Sequence, residues 1–320
     1  MTWRVIWRAA LLAALALAAS MIIGEARADI RIIVPYAVGG AADLMARFLA
    51  PGLQQQLGET IVIDNRGGAG GALGNEAVVR APPDGKTLLV ANMGSHVIAP
   101  SVQPSAGYDQ AKAFEPIMLI GTVPALMVTR PSLPATTLAE LIAFAKAGHK
   151  LTYGSSGRAT TMHVAGELVN AEGGIKATHL PYRGLGPALN DLLGGHVDML
   201  IADLPVLIPQ VKGGRIRALA LFAPERSPLL PDVPSTRELG FPMMTMENWY
   251  GVLVRAGTSA DAIGRLEQAA LSIVTASPVR EQLADAGVLG VQGRAAFKAR
   301  LDRDFAHWGP VVKTLGITGE

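Results

Sequence analysis

The chain of 320 residues has no cysteine. This absence excludes disulfides, thiolate nucleophiles, cysteine-ligated zinc or iron–sulfur sites, and lipid attachment to a cysteine. An exported protein of this composition therefore depends on its apolar core alone. Half of the residues are hydrophobic, although aromatic residues make up only 5%, and a chain of this length buries enough surface for one large domain or two medium ones.

The sequence also lacks a hydrophobic run long enough to span a membrane. The longest N-terminal run, Ala9 to Ile23, has 15 residues, whereas a spanning helix needs about 20. Arg4 and Arg8 precede this run, and Ala26-Arg27-Ala28 follows it as a small-x-small pattern. This order is typical of a secretory signal peptide. We expect residues 1–28 to be removed by cleavage after Ala28 and the chain to be periplasmic, unlipidated and soluble.

Net charge is absent once this segment is set aside. The segment carries three arginines and one glutamate, so the remaining 292 residues hold 25 basic and 25 acidic side chains. A chain without excess charge has no overall field to hold it on nucleic acid. The six histidines form no HxH or HxxxH pair, so no metal site and no cofactor are predicted.

Short apolar runs alternate with segments of helical periodicity along the chain. This alternation predicts parallel sheets covered by helices on both faces, that is, an α/β fold. The predicted strands are 30–34, 60–63, 86–91, 151–153, 197–201 and 218–222, and the predicted helices are 43–57, 138–147, 160–170, 187–193 and 260–275. Residues 243–254 read as an extended apolar strand that could return from a second domain to the first.

Glycine-rich turns follow several of these strands, where open α/β sheets bind ligands. Backbone N–H groups at such turns can bind an anion. The candidate residues of three turns are Tyr36, Gly39, Gly40 and Asp43 in the first, Ala69 and Gly70 in the second, and Ser155, Ser156, Gly157, Arg158, Thr160 and His163 in the third. Asp43 is equally well explained as a capping residue. The second turn only poorly matches a dinucleotide loop, because its glycines read GxGxxxG.

A serine hydrolase is the alternative function that these residues allow. Ser155 or Ser156 would be the nucleophile, His163 the base and Asp203 the third member. The segment reads GSSG rather than G-x-S-x-G, so the nucleophile elbow is absent. Binding of a small anion without turnover is the favoured interpretation.

Motifs spread over the whole chain after residue 28 resemble one known family. They are Ile30 to Asp43, DNRGGAGG at 64–71, PDGKTLL at 83–89, YGSSG at 153–157, LPYRG at 180–184, DLLGG at 191–195, LLPDVP at 229–234 and WGPVVK at 308–313. This pattern is similar to the Bug (TctC-like) family, the extracytoplasmic solute receptors of tripartite tricarboxylate transporters.

The resemblance implies a periplasmic-binding-protein fold of the Venus flytrap kind, type II-like, with two Rossmann-like α/β domains. Domain 1 is expected to comprise 29–128 plus 252–320 and domain 2 to comprise 129–251, with hinges near Thr129 and Gly251. The implied ligand is a small carboxylate: a di- or tricarboxylate, an amino acid or an aromatic acid. The implied partners are the membrane permease subunits, and the chain is expected to be a monomer and not an enzyme.

The resemblance also implies ligand contacts beyond the three turns. It adds Ser95 after the third strand, the run Tyr182, Arg183 and Gly184 in the second domain, and Asp203. Arg158 departs from the small or neutral residue expected at its position, and it could pair with a second carboxylate of the ligand. Asp203 could instead read an amino group or hold a water network.

Overall fold

The computed structural model describes residues 29–103 and 108–318, so the predicted signal peptide lies outside the described residues. We number the strands and helices in chain order. The strands are β1 Ile30–Val34, β2 Ile61–Asn65, β3 Thr87–Asn92, β4 Phe114–Thr129, β5 Thr152–Ser155, β6 Thr178–Pro181, β7 Met199–Asp203, β8 Arg217–Phe222, β9 Glu247–Arg255 and β10 Gln292–Gly293.

The α-helices of the described residues cover both faces of the sheet. They are α1 Ala41–Leu57, α2 Ala72–Val79, α3 Ala99–Val102, α4 Leu138–Lys146, α5 Thr161–Gly173, α6 Leu185–Leu193, α7 Leu204–Lys212, α8 Ala260–Thr275, α9 Val279–Asp285 and α10 Arg294–Thr314. Within the part of the chain that the structure describes, no helix has both the length and the apolar character that crossing a membrane requires.

Helix ends follow the local sequence signals. Thr137, Thr160 and Ser259 each accept a hydrogen bond from a backbone N–H of the first turn of α4, α5 and α8, which satisfies a donor that has no partner within the helix. At the C-terminal end of α1, Gly58 adopts φ +64° and donates its N–H to the carbonyl of Gln54, a geometry that favours glycine.

The strands run in the order β2-β1-β3-β9-β4-β7-β5-β6, and β8 and β10 also pair with β4. The pairs β1–β2, β1–β3, β5–β6 and β5–β7 are parallel, as the βα alternation predicts. The centre departs from that prediction, because β9 and β4 pair antiparallel with each other and with β3, β7 and β8. The strand predicted at 243–254 is present as β9, but it begins at Glu247 because Pro242–Met244 form a 3-10 turn. That it returns from a second domain to the first stays a prediction.

The long strand β4 changes partners along its length. Residues 114–124 pair with β9, whereas 125–129 lie between β7 and β8. The predicted hinge residues both lie inside these central strands: Thr129 pairs with Met199 and Arg217, and Gly251 with Ala91 and Leu119. The residue ranges given for the two domains stay a prediction.

Helices α1 and α8 bury their apolar faces together against β1, β3 and β9. Leu49, Leu53 and Ile273 belong to this cluster, and the helices come so close that a Cβ on Gly52 would lie 2.7 Å from Ile273. Full burial of one such aliphatic side chain contributes about 1.5–3 kcal/mol to folding. This packing fixes the position of α1, which begins directly after the turn that follows β1.

Candidate functional site

A cavity of about 410 Å3 lies where the turns after β2, β5 and β6 meet. These turns contribute Gly67 to Gly70, Ser156 to Arg158, and Pro181 to Arg183, and Leu73 and Gln103 complete the lining. All three turns leave the carboxyl ends of parallel strands, which is where open α/β sheets bind ligands. The second and third predicted turns therefore face each other across one cavity.

Backbone contacts join the two sides of the cleft that contains this cavity. The N–H of Ala37 donates to the carbonyl of Arg183 at 3.1 Å. A Cβ on Gly67 would lie 2.6 Å from that carbonyl oxygen, and one on Gly70 would lie 2.8 Å from the carbonyl oxygen of Arg158. Glycine is needed at both positions because any side chain would push the two halves of the cleft apart.

Among the described residues, those that line the cavity include two arginines and no aspartate or glutamate. Arg158 and Arg183 are both exposed, and the hydroxyl of Ser156, the amide of Gln103 and the glycine backbones supply neutral polar groups. A guanidinium matches a carboxylate in geometry as well as in charge. The cavity is therefore suited to an anion.

The first predicted turn packs beside the cavity, and its carboxylate is already bonded. Oδ2 of Asp43 accepts from the N–H of Gly39 at 3.1 Å and from Nε of Arg47 at 3.0 Å, and Oδ1 accepts from Nδ2 of Asn65 at 3.2 Å. Burial opposes ionisation, but these bonds hold the pKa of Asp43 below its ordinary value. Gly40 lies beside Leu185 at the start of α6. Asp43 thus closes the turn, and Gly39, Gly40 and Asp43 are not part of the cavity lining.

A buried polar group lies outside the cavity lining, and we call it the carboxylate cluster. Tyr36 donates its hydroxyl proton to Oδ1 of Asn92 at 3.0 Å. Tyr250 donates to Oδ2 of Asp203, and Nδ2 of Asn248 donates to Oδ1 of Asp203 at 3.1 Å and to the Tyr250 hydroxyl at 3.0 Å. The Tyr250 hydroxyl also bonds to the side chain of Asn92, so the cluster joins the residues after β1 to the end of β7 through Tyr250 of the central strand β9.

Burial governs the acidity of this cluster. It raises the pKa of Asp203 to about 6, although the bonds from Tyr250 and Asn248 act in the opposite direction. Burial also raises the pKa of the Tyr36 and Tyr250 hydroxyls. Ser95 is buried beside them and donates its N–H to Oδ1 of Asn92 at 2.9 Å. Tyr36, Ser95 and Asp203 are therefore brought together, but none of them lines the cavity.

A second group, the histidine stack, is largely buried and supports the turn after β5. The ring of His179 lies between that of His163, with centroids 3.9 Å apart, and that of Tyr153, at 4.8 Å. Nε2 of His179 is 2.6 Å from Oγ of Ser155. Burial lowers the pKa of His163 to about 4 and that of His179 to about 3, so both rings are neutral near pH 7.

The predicted triad of a serine hydrolase is not assembled. The ring beside Ser155 belongs to His179, because β6 runs parallel to β5 and places His179 opposite Tyr153. Nδ1 of His163 instead accepts the N–H of Ala159 at 3.0 Å. Asp203 lies in the carboxylate cluster, where both of its oxygens accept bonds from Tyr250 and Asn248.

The remaining predicted residues shape the wall of the cleft. Oγ1 of Thr160 donates to the carbonyl of Gly157 at 2.8 Å and caps α5. The Tyr182 ring lines the cavity while its hydroxyl donates to Asp191 at 2.6 Å; burial and Asp191 raise its pKa to about 12. Gly184 packs directly against Ala37.

Several residues of the site escaped prediction. Asn92, Asn248 and Tyr250 belong to the carboxylate cluster, His179 to the histidine stack, and Gln103 to the cavity lining. Asn92 ends β3, so the rule that ligands bind beyond strand ends could have found it. His179 and Tyr250 lie within strands, and their sequence neighbours carry no comparable signal.

Residues 45–317 match the family model described as tripartite tricarboxylate transporter family receptor. The chain belongs to this family. The resemblance to Bug (TctC-like) proteins is thereby confirmed, and the curated relatives agree: the protein BugT of Bordetella pertussis is 33% identical over 294 residues, which cover 90% of this chain and 89% of BugT.

Solved receptors of this kind share the architecture. A protein of R. palustris solved with adipate is 32% identical and superposes with a TM-score of 0.86, covering 91% of this chain and 98% of its own. MatC of Rhodopseudomonas palustris, solved with bound malate, is 29% identical with a TM-score of 0.83, covering 89% and 98%. The predicted fold class, a two-domain periplasmic-binding-protein fold, is confirmed by such superpositions.

Proposed function

We propose that this family member is an exported receptor that captures a small carboxylate between two domains and delivers it to the membrane permease of a tripartite tricarboxylate transporter. The observation that carries the proposal is the cavity of about 410 Å3, which is lined by Arg158 and Arg183 and by no acidic side chain. A carboxylate entering it would meet guanidinium groups and backbone dipoles in a site that closure shields from water.

The relatives support this ligand class. Adipate and malate, which occupy two solved relatives, are both small dicarboxylates. In this chain we propose that Ala69, Gly70, Ser156, Gly157, Arg158 and Tyr182 contact the ligand, because they line the cavity. Tyr36, Ser95 and Asp203 act from the buried carboxylate cluster. The remaining predicted residues, Gly39, Gly40, Asp43, Ser155, Thr160, His163 and Gly184, form or support the adjoining turns.

We propose that the two domains close around the ligand, and the way the two halves meet supports this. Ala37 and Arg183 join by backbone hydrogen bonding on one side of the cleft, whereas β4 and β9 run continuously through the centre of the sheet. We propose that the chain crosses between domains near the point where β4 changes partners, between Pro124 and Ala125, and again near Glu247. Small backbone changes at two crossings are sufficient for a hinge.

Binding can be tested by calorimetry and thermal shift with adipate, malate, acetate and aspartate. We expect one acid to bind with one-to-one stoichiometry and to raise the melting temperature, because a ligand that binds only the folded state stabilises it. Arg158→Ala and Arg183→Ala should each weaken that binding. Arg237, which is exposed and outside the cavity lining, provides the control variant Arg237→Ala. No response to any small carboxylate would contradict the receptor proposal.

Hydrolysis is the competing function, and the contact between Ser155 and His179 is the feature that favours it. Ser155 is fully buried, and the described residues place no carboxylate in hydrogen-bond contact with His179. Mass spectrometry of the ligand released after incubation separates the two functions. An unaltered acid supports the receptor, and an altered acid whose formation Ser155→Ala abolishes would support the enzyme.

Export can be tested by the intact mass of the protein recovered from a periplasmic extract. We propose cleavage after Ala28, which leaves a chain that begins at Asp29 and carries no lipid. A mass that corresponds to another N-terminus would correct the cleavage site. Analytical ultracentrifugation of the same material tests the proposed monomer.

A further inference from the structure

The turn that follows β5 contains an unusual backbone conformation. Ala159 has φ +54°, in the left-handed region that residues other than glycine seldom occupy. An alanine in this conformation strains the backbone, so neighbouring groups must compensate. Ala159 directly follows Ser156 to Arg158, the residues that this turn contributes to the cavity.

His163 supplies a hydrogen bond that matches this conformation. The N–H of Ala159 donates to Nδ1 of His163 at 3.0 Å. Both groups are buried, so this N–H would lose its partner if Nδ1 were unable to accept. His163 itself is fixed in the first turn of α5, where its backbone N–H donates to Oγ1 of Thr160.

The opposite end of the turn is held through the same stack of rings. His179 packs face to face on His163 with an interplanar angle of 12°, and its Nε2 contacts Oγ of Ser155. The hydroxyl of Ser155 also donates to the carbonyl of Gly157 at 2.9 Å. The turn from Ser155 to Ala159 is therefore held at its two ends by two stacked imidazoles.

The charged groups around His163 keep Nδ1 free to accept. Nε2 of His163 is 3.9 Å from Oε1 of Glu167 on the same helix, and that carboxylate also accepts from the hydroxyl of Tyr153 on β5. Burial lowers the pKa of His163 most, and Arg158 in the turn also disfavours a positive charge on its ring, although Glu167 favours one. The environment thus favours a neutral ring with its proton on Nε2 and a lone pair on Nδ1.

We propose that His163 is a positioning residue of the ligand cavity: its Nδ1 holds Ala159 in the left-handed conformation and so presents Ser156, Gly157 and Arg158 to the ligand. His163 acts through the turn and does not touch the ligand. The link to affinity rests on the proposed function, because it requires that this cavity binds the ligand, whereas the hydrogen bond to Ala159 does not.

The first experiment needs no ligand. In the protein labelled with 15N-histidine and purified after export, the His163 resonances should report a neutral ring protonated at Nε2. This state should persist from pH 8 to about pH 5, because the pKa of His163 is lowered by burial. A ring protonated at Nδ1, or one that titrates near its ordinary pKa, would overturn the proposal.

The second experiment compares two substitutions of His163 with adipate and malate as probes. His163→Asn places an amide oxygen close to the position of Nδ1, whereas His163→Leu removes the acceptor and keeps the bulk. We expect His163→Leu to weaken binding about tenfold, the equivalent of one buried hydrogen bond, and His163→Asn to stay within about threefold of the original chain. Equal losses in the two variants, or no loss in His163→Leu, would contradict the proposal.

The two experiments separate the possible failures. If the unsubstituted protein binds neither adipate nor malate, the proposed ligand class fails for these probes, while the 15N spectrum still decides how His163 is bonded. If the spectrum shows the Nε2 proton and both variants bind as tightly as the unsubstituted chain, the cavity does not depend on the turn and the proposal is wrong.

Discussion

The carboxylate cluster and the histidine stack are both buried beside the same cleft, yet burial acts on them with opposite sign. Burial disfavours the charged form of any group. The charged form of Asp203 is the deprotonated one, so its pKa rises to about 6. The charged forms of His163 and His179 are the protonated ones, so their pKa values fall to about 4 and about 3.

The two regions therefore make opposite contributions to stability as the pH changes. The folded protein holds the Asp203 proton more tightly than the unfolded chain, so this contribution is complete below pH 4 and is lost as the pH rises through about 6. The folded protein binds protons on His163 and His179 more weakly, so their contribution is complete above pH 6.5 and is lost as the pH falls towards 4. His96, whose burial lowers its pKa to about 3, has the same sign as the stack.

The largest loss of stability should come from a substitution that overpacks the core beside the histidine stack and displaces its rings. A Cβ on Gly166 of α5 would lie 2.1 Å from the Tyr153 ring, so Gly166→Ala must displace that ring and the imidazoles stacked on it. We expect a loss of about 3 kcal/mol in the free energy of unfolding, measured by urea denaturation. The matched variant Gly264→Ala lies in α8, where an added Cβ meets no atom within 4 Å. It should be neutral or stabilising by up to about 1 kcal/mol. Equal behaviour of the two variants would show that the stack is not tightly packed.

Removing the titration of the carboxylate cluster should change the pH dependence of stability. Asp203→Asn keeps an oxygen acceptor for Tyr250 and Asn248 but carries no proton to lose. Between pH 4 and pH 6, the unfolding free energy of the unsubstituted protein should contain a decrease of about 2–3 kcal/mol that the variant lacks. Urea denaturation at several pH values measures this difference. An unchanged profile would mean that Asp203 titrates as an ordinary aspartate.

The matching substitution in the histidine stack should change the pH dependence of stability by a smaller amount and in the opposite direction. His179→Gln can keep a hydrogen bond to Ser155 but cannot accept a proton. Between pH 6.5 and pH 4, we expect the unfolding free energy of the variant to fall by about 1–2 kcal/mol less than that of the original chain, after allowance for the partial exposure of this ring. The same denaturation series tests it. If the unfolding free energy of the variant fell more steeply with decreasing pH than that of the original chain, the contribution proposed for the histidine stack would have the wrong sign.

The smallest change in stability should come from relieving the backbone strain at Ala159, in the turn after β5. Ala159→Gly removes the Cβ that disfavours φ +54°, so the folded state should lose strain while the unfolded chain gains entropy. We expect the free energy of unfolding, measured by urea denaturation, to change by at most about 1 kcal/mol. Ligand binding should become weaker because the turn is less rigid. A large destabilisation would show that the alanine methyl group contributes to packing.

Much of the peripheral fold could be predicted from local patterns. The strand at 30–34 and the helices at 260–275 and 138–147 lie within one residue of their observed bounds, because their apolar periodicity and caps are local signals. The long strand β4 was missed. Pro116, Gly121 and Pro124 interrupt its pattern, and these residues are tolerated because its register shifts and its partners change along its length. Helix α10 was also missed, since few of its residues are buried.

The sequence by itself determined the α/β class, the family and the glycine turns, because each is encoded by residues close together in the chain. Only the tertiary structure decided which side chains meet. Asp203 bonds to Tyr250 across the antiparallel strands at the centre of the sheet. Ser155 contacts His179 rather than His163 because β5 and β6 are parallel neighbours in a particular register. Such contacts depend on strand order and register over many residues, which no local pattern specifies.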